Sequence, residues 1–159
     1  MTSLWKSVEV VIEVPRGSFK KRGASGTVDF ISPFPCPFNY GSIRTHVSDD
    51  NDFLDAVVLG PRFSRGKRLE TMVRGAVGFL DRDIYDDKII CSHRPMSQWT
   101  RFYVLLFFHF YAFCKRLLNV RRGFSGRKTA CLGWRDPYQA FSRARLADGV
   151  RGNEPAIPF

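Results

Sequence analysis

The chain has 159 residues, a length suited to one domain with a sizeable core, and its 44% hydrophobic and 25% charged content is ordinary for a globular protein. A formal charge of +10 permits attraction to nucleic acid, lipid headgroups or small phosphates and does not choose among them. The four cysteines, Cys36, Cys91, Cys114 and Cys131, are widely separated and form no C-x-x-C, which excludes a disulfide frame or a zinc site as the organising element. Met1 to Ser7 lacks the apolar core of a signal peptide, so reduced thiols in a cytoplasmic protein are expected.

Val8 to Val14 is rich in Val and Ile and runs into Pro15-Arg16-Gly17, the pattern of a strand ending in a turn. Within it, Glu13 reads by itself as an outward-facing surface acid. Phe19 to Arg22 is a basic strip, by default a solvated face. Thr27 to Ser32 is a short strand candidate, and the prolines between Pro33 and Pro37 then forbid regular helix or central strand. Phe38 to Gly41 reads as a rigid turn presenting Tyr40.

Asp50, Asp52 and Asp55 crowd the entrance to the apolar strand Ala56 to Leu59. Asp50 and Asp52 share one face if the segment is extended. Two carboxylates about 4 Å apart repel by roughly 4 kcal/mol at an effective dielectric near 20, so a fold that gathers three needs protons or cations. With no His or Cys nearby the donors are hard oxygens, suited to Mg²⁺, Mn²⁺ or Ca²⁺ rather than Zn²⁺. On these residues alone a solvated acidic turn is equally open.

Pro61 to Arg68 is a basic loop. Met72 to Leu80 reads as a strand interrupted by Gly75 and Gly78, the mark of bulges or a barrel bend. A second acidic block, Asp81 to Lys88, leads into the strand Ile89 to Cys91. From about Trp99 to Asn119 the apolar density predicts a helix, with Phe102, Leu105, Leu106, His109 and Phe113 near one side and aromatics on others, hence buried on most of its surface. Its apolar part, 102–114, falls short of the roughly 20 residues a membrane span requires. His46 and His93 read as loop residues and His109 as a core side chain. Ala130 to Trp134 reads as a closing strand or turn and Asp136 to Leu146 as a second helix. The layout is α+β, a small barrel or curled sheet flanked by helices, in a single domain 1–159 with its core at about 8–146 and a loose tail at 147–159.

Six elements occur in a familiar order: V-I-E-V-P at Val11 to Pro15, the Lys20 region, P-F-N-Y-G at Pro37 to Gly41, D-N-D-F-L-D at Asp50 to Asp55, Asp81 with D-D-K at Asp86 to Lys88, and F-F-H-F-Y at Phe107 to Tyr111. Gly133-Trp134 also fits. From Val10 to Trp134 the chain resembles the soluble family I inorganic pyrophosphatases, as a divergent bacterial-type member. The resemblance implies a small closed five-stranded β-barrel, OB-like, flanked by one long and one shorter helix. It implies Mg²⁺-dependent hydrolysis of pyrophosphate to two phosphates, with Mn²⁺ as a substitute. It places Asp50, Asp55 and Asp86 as metal ligands, Asp81 at a further metal, Asp52 as general base and Glu13 as a catalytic-site carboxylate acting through the water shell. Lys20, Tyr40, Lys88 and Tyr111 hold phosphates. The implied partners are pyrophosphate and copies of the chain itself, a hexamer if it is like bacterial relatives, with neither membrane nor nucleic acid among them.

The chain also departs from the family. Asn51 and Phe53 stand where Gly and Pro are usual, Arg82 where an acid follows the Asp81 position, Cys36 for a tyrosine and Ala112 for a lysine. An arginine expected near Phe30 and an acid expected just after Lys20 are missing. Arg16, Arg22, Arg82 and Lys115 are candidates to compensate, Arg22 and Lys115 as phosphate contacts. Two alternatives follow from this rewiring. One is a pyrophosphatase-like module that binds phosphates or nucleic acid through the basic runs; the other is a hydrolase of a different phosphoanhydride.

Overall fold

Strand β1 (Ser7–Val14) buries Val8, Val10 and Ile12 while Ser7 and Glu9 stay exposed, the period-two pattern of a half-buried strand. The computed structural model describes residues 7–18, 20–22, 28–31, 35–48, 51–123 and 126–146. After β1 come β2 (Lys20–Arg22), β3 (Val28–Ile31), β4 (Asn39–Val47), β5 (Phe53–Val58), β6 (Arg68–Asp81), β7 (Ile84–Tyr85) and β8 (Lys88–Cys91). Helix α1 (Gln98–Arg121), β9 (Ala130–Arg135), α2 (Pro137–Arg143) and β10 (Arg145–Leu146) complete the described chain.

Five strands close a barrel in the order β1-β4-β5-β8-β6, with β6 pairing back onto β1. The β5–β8 pairing is parallel and the other four are antiparallel. Closure rests on the length of β6, whose start pairs with β1 and whose later part pairs with β8, β9 and β7. As the glycines predict, the register of β6 shifts between Val73 and Gly75 against β8, and between Gly78 and Phe79 against β9. Gly75 is needed for space, because a Cβ there would lie 2.1 Å from the Trp134 ring. Gly75→Ala is therefore expected to destabilise the fold by about 1–3 kcal/mol, the usual penalty of overpacking. Urea unfolding measures it, and an unchanged midpoint would mean that Trp134 yields freely.

Alternation along the strands makes two apolar layers. Val10, Ile12, Ile43, Leu54, Ala56, Val58, Ala76, Ile89 and Cys91 fill one, capped by Ala140 and Phe141 of α2. Residues of opposite parity, including Val57, Val77, Phe79 and Ile90, pack instead against Val104, Phe108 and Ala112 of α1. These three α1 residues follow an i, i+4, i+8 seam, so the helix meets the barrel along one narrow stripe. Ser97 caps α1, its hydroxyl accepting the N–H of Thr100 at 3.1 Å.

Several sequence expectations change. The supposed turn at Phe38 to Gly41 is the start of β4; Gly41 is there because a Cβ would lie 2.2 Å from the Val11 carbonyl oxygen, a close approach of strands and not a bend. Helix α1 is buried only along its seam, and Trp99 is 82% exposed. His109 is exposed on α1 and His46 is buried on β4, its ring edge-on to Phe141 at 5.2 Å. The second helix ends at Arg143, after which β10 pairs with β4. The tail 147–159 lies outside the described residues. Among the described residues no helix is long and apolar enough to cross a membrane.

Candidate active site

The parallel β5–β8 ladder sets Asp55 opposite Lys88, and the β4–β5 ladder sets Ser42 opposite Asp55. Lys88 shares the parity of Ile90, so its side chain enters the layer beneath α1. There the ammonium donates to Asp55 Oδ2 at 2.5 Å and to Asp86 Oδ2 at 2.7 Å. Tyr40 donates its hydroxyl to the same Asp55 oxygen at 2.8 Å. Lys88 is 0% exposed and lies over the rings of Tyr40 and Phe79, 5.7 and 5.5 Å from their centroids.

Burial alone would drive the Lys88 ammonium toward neutrality, but Asp55 and then Asp86 outweigh it and hold its pKa well above the ordinary lysine value. Lys88 is thus a permanent cation that gathers two carboxylates. The approach to Lys88 is fixed by Asp86 and Asp87. The Asp86 N–H donates to the Phe79 carbonyl at 2.9 Å, and the buried Asp87 accepts the Phe79 N–H at 3.1 Å and pairs with Arg143 of α2 at 3.3 Å.

Glu13 sits where the β1–β4 register shifts between Ile12 and Val14. Its carboxylate accepts the Ser42 hydroxyl at 2.8 Å and faces the Arg44 guanidinium at 3.7 Å, with 17% of its side chain exposed. The surface-acid reading of this residue therefore fails. Ser42 and Arg44 escaped the sequence reading. Their spacing after Tyr40, two residues each, would have placed all three on one strand face had β4 been recognised.

Asp52 is exposed in the turn before β5, where its carbonyl accepts the Ser48 N–H at 2.7 Å. Asp50 lies outside the described residues. Lys20 and Arg22 fall on β2, which pairs only with β3 in a separate ribbon. Arg16 donates to the Gly60 carbonyl at 3.0 Å.

A second cluster forms where β6, α1 and the start of β9 meet. Asp81 Oδ2 accepts the Lys115 ammonium at 2.9 Å, while its Oδ1 accepts the Thr129 hydroxyl at 3.2 Å and the Asn119 amide at 3.4 Å. Arg82 Nε stands 4.0 Å from the same carboxylate. Burial would raise the Asp81 pKa, but the bond and charge of Lys115, then Asn119 and Arg82, hold it below the usual aspartate value. The ring of Tyr111 links the two clusters, 5.5 Å from the Phe79 ring with the Lys115 ammonium 5.8 Å from its own centroid.

The closed mixed barrel and the sequence that builds it match known proteins. The sequence profile of inorganic pyrophosphatase matches residues 10–105, more than half of the chain. The chain belongs to the inorganic pyrophosphatase family. The inorganic pyrophosphatases of Haemophilus influenzae and of Neisseria meningitidis serogroup A are each 34% identical to it over 92 residues. That match takes in 53% of this chain and 52% of each relative, so the chain spans about half the length of the curated relatives it matches. Among solved structures, the inorganic pyrophosphatase of Thermus thermophilus superposes with a TM-score of 0.68 at 24% identity, over 90% of each chain. That of Neisseria gonorrhoeae also gives 0.68, at 25% identity over 86% of each.

Within the pyrophosphatase frame the departures acquire physical reasons. Asn51 has φ 66°, a left-handed conformation that Asn tolerates better than most residues, so it serves in place of the usual glycine. Phe53 enters β5 opposite Val47, with the Arg44 guanidinium 5.3 Å above its ring. Ala112, where a pyrophosphatase has lysine, is 1% exposed in the α1 seam, packed with Val104 and Phe108 against the barrel. Arg82 and Asp83 have φ 51° and 68°, the two positive values of a type I′ turn between β6 and β7.

The donors at Lys88 fit a divalent cation in kind, since Asp55 and Asp86 converge and both are hard. Among the described residues no group of three His, Cys, Asp or Glu gathers to hold a metal ion, and the implied third ligand, Asp50, is not one of them. At Asp81 the fit fails, because protein cations and hydrogen-bond donors already occupy the carboxylate.

Proposed function

We propose that the chain hydrolyses inorganic pyrophosphate to two phosphates with the help of Mg²⁺, for which Mn²⁺ can substitute. The observation that carries this reading is the buried Lys88 drawing Asp55 and Asp86 together beside Tyr40, within a pyrophosphatase barrel. Asp50, Asp55 and Asp86 would hold the cation, which supplies charge neutralisation on phosphoryl oxygens and a more acidic water. Asp52, exposed at the mouth, accepts the proton of the attacking water, and Glu13 acts through the water shell. Lys88, Tyr40, Tyr111 and Lys20 hold the phosphates, with Arg22 close in sequence to Lys20. Phosphoryl transfer needs mainly positioning and charge cancellation, which this mixture of fixed acids and bases provides. The decisive assay measures phosphate released from pyrophosphate with and without Mg²⁺; no release from the wild type overturns the reading. Running triphosphate and ATP in parallel tells whether the altered phosphate contacts have moved the substrate range.

We also infer that α1 packs against a second copy of the chain. Trp99, Tyr103, Leu106, Phe110, Phe113, Leu117 and Val120 are all exposed, and their spacing alternates four and three residues. That is the seam of a helix that takes a helical partner. Three of the flanking charges are engaged within the chain: Arg101 lies over the Trp134 ring at 4.8 Å, Lys115 binds Asp81, and Arg116 donates to the Thr129 carbonyl at 3.3 Å. Such a face suits a self-pairing helix better than an anionic surface. Leu106→Asp with Phe113→Asp is expected to reduce the mass measured by light scattering to that of one chain. A wild type that already runs as a monomer rules the seam out. The four cysteines of the described chain are free thiols, which suits a cytoplasmic location.

A further inference from the structure

The two charged clusters have opposite balances. At Lys88 one ammonium faces two carboxylates, an excess of negative charge that invites a cation. At Asp81 one carboxylate faces the Lys115 ammonium at 2.9 Å and the Arg82 guanidinium at 4.0 Å, an excess of positive charge that repels one. We propose that Lys115 is a tethered cation standing in for a divalent ion at Asp81, so that this chain assembles its site with one metal ion fewer than its family resemblance implies. The inference rests on the pyrophosphatase reading given above.

The placement is built by the fold. Lys115 follows Tyr111 by one helical turn and Asn119 follows Lys115 by another, so all three lie on one side of α1. Asn119 and Thr129 are both buried, the Asn119 amide donates to the Thr129 hydroxyl oxygen at 2.9 Å, and both side chains donate to Asp81 Oδ1. Each carboxylate oxygen therefore has a protein donor before any ion arrives. The type I′ turn directs Arg82 back toward Asp81, and Thr129 accepts the Arg82 N–H at 3.1 Å. Asp83, the other acid of the turn, is engaged elsewhere, accepting the Lys128 N–H at 3.0 Å. An ammonium on a covalent tether neutralises Asp81 at any metal concentration. The arginine at position 82 then leaves the cluster one positive charge in excess.

The test is the stoichiometry and affinity of Mn²⁺ binding to the full chain, by titration calorimetry and by electron paramagnetic resonance of free Mn²⁺. Asp81→Asn is expected to leave the number of bound ions unchanged and their Kd within about twofold. Loss of one ion, or a tenfold weaker Kd, overturns the proposal. Arg82→Asp combined with Lys115→Met is expected to gain one Mn²⁺, lost again when Asp81→Asn is added; no gain in the double variant also overturns it. Lys115→Arg, which keeps a cation in place, is expected to bind the wild-type number of ions and guards against a fold lost through cavity formation, as do melting curves for every variant. Asp55→Asn separates the two readings. If it fails to reduce Mn²⁺ binding, the metal site of the proposed function fails, whatever the Asp81 variants show.

Discussion

Lys88→Met is expected to destabilise the fold by about 3–5 kcal/mol, the range seen when one partner of a buried ion pair is removed. The magnitude follows from what remains. Asp55 and Asp86, each with only 13% of the side chain exposed, would lose the ammonium that holds them together, and their repulsion would be uncompensated. Methionine matches the length and most of the volume of the lysine stem, so the loss cannot be assigned to an empty space beside Tyr40 and Phe79. Because the Lys88 pKa is raised, the contribution of its charged form is complete below the ordinary lysine value and fades only as pH rises through the higher folded value. Urea unfolding at pH 7 therefore reads the whole effect. The same substitution removes a proposed phosphate contact, so pyrophosphate turnover should fall by orders of magnitude even under conditions where the protein stays folded. A variant as stable as the wild type would show that the two carboxylates separate without it.

Asp52→Asn should behave in the opposite way. Asp52 is exposed, so the amide replacement is expected to change the unfolding free energy by no more than about 0.5 kcal/mol, as for most surface changes. On the proposed reading, what is lost is the acceptor for the proton of the attacking water. Removing a positioned general base costs about 10²–10⁴-fold in rate, so kcat should drop by that factor while KM changes little. Retention of full activity would remove Asp52 from the reaction and leave Glu13 as the carboxylate to examine. Together the two variants separate a residue that holds the site together from one that acts only during turnover.

Much of this was legible in the sequence where the signal is local. Alternating Val and Ile mark β1, the apolar run after Asp55 marks β5, Gly75 and Gly78 mark the bends of β6, and the apolar density after Trp99 marks α1. The motifs in register point to the family, and they contain Asp55, Asp86, Lys88 and Tyr40, the residues that meet in the structure. The misreadings share one cause, which is that glycine and apolar residues report space and exposure only through their neighbours. Gly41 looked like a turn because the Val11 carbonyl that forbids its Cβ lies thirty residues away in the chain. The aromatics of α1 looked buried because composition cannot tell a core face from an exposed one.

The order of residues specifies the charges and the strands that carry them. How those charges are shared depends on the closed barrel and the helix packed on it. Closing the barrel puts β5 parallel to β8, which sets Asp55 opposite Lys88, and the bond from the Asp86 N–H to the Phe79 carbonyl holds the second aspartate beside it. Packing α1 over the end of β6 brings Lys115 to Asp81, a contact between residues 34 apart in the chain. Coulomb energies depend on separation and burial, quantities that exist only once distant segments have been brought together.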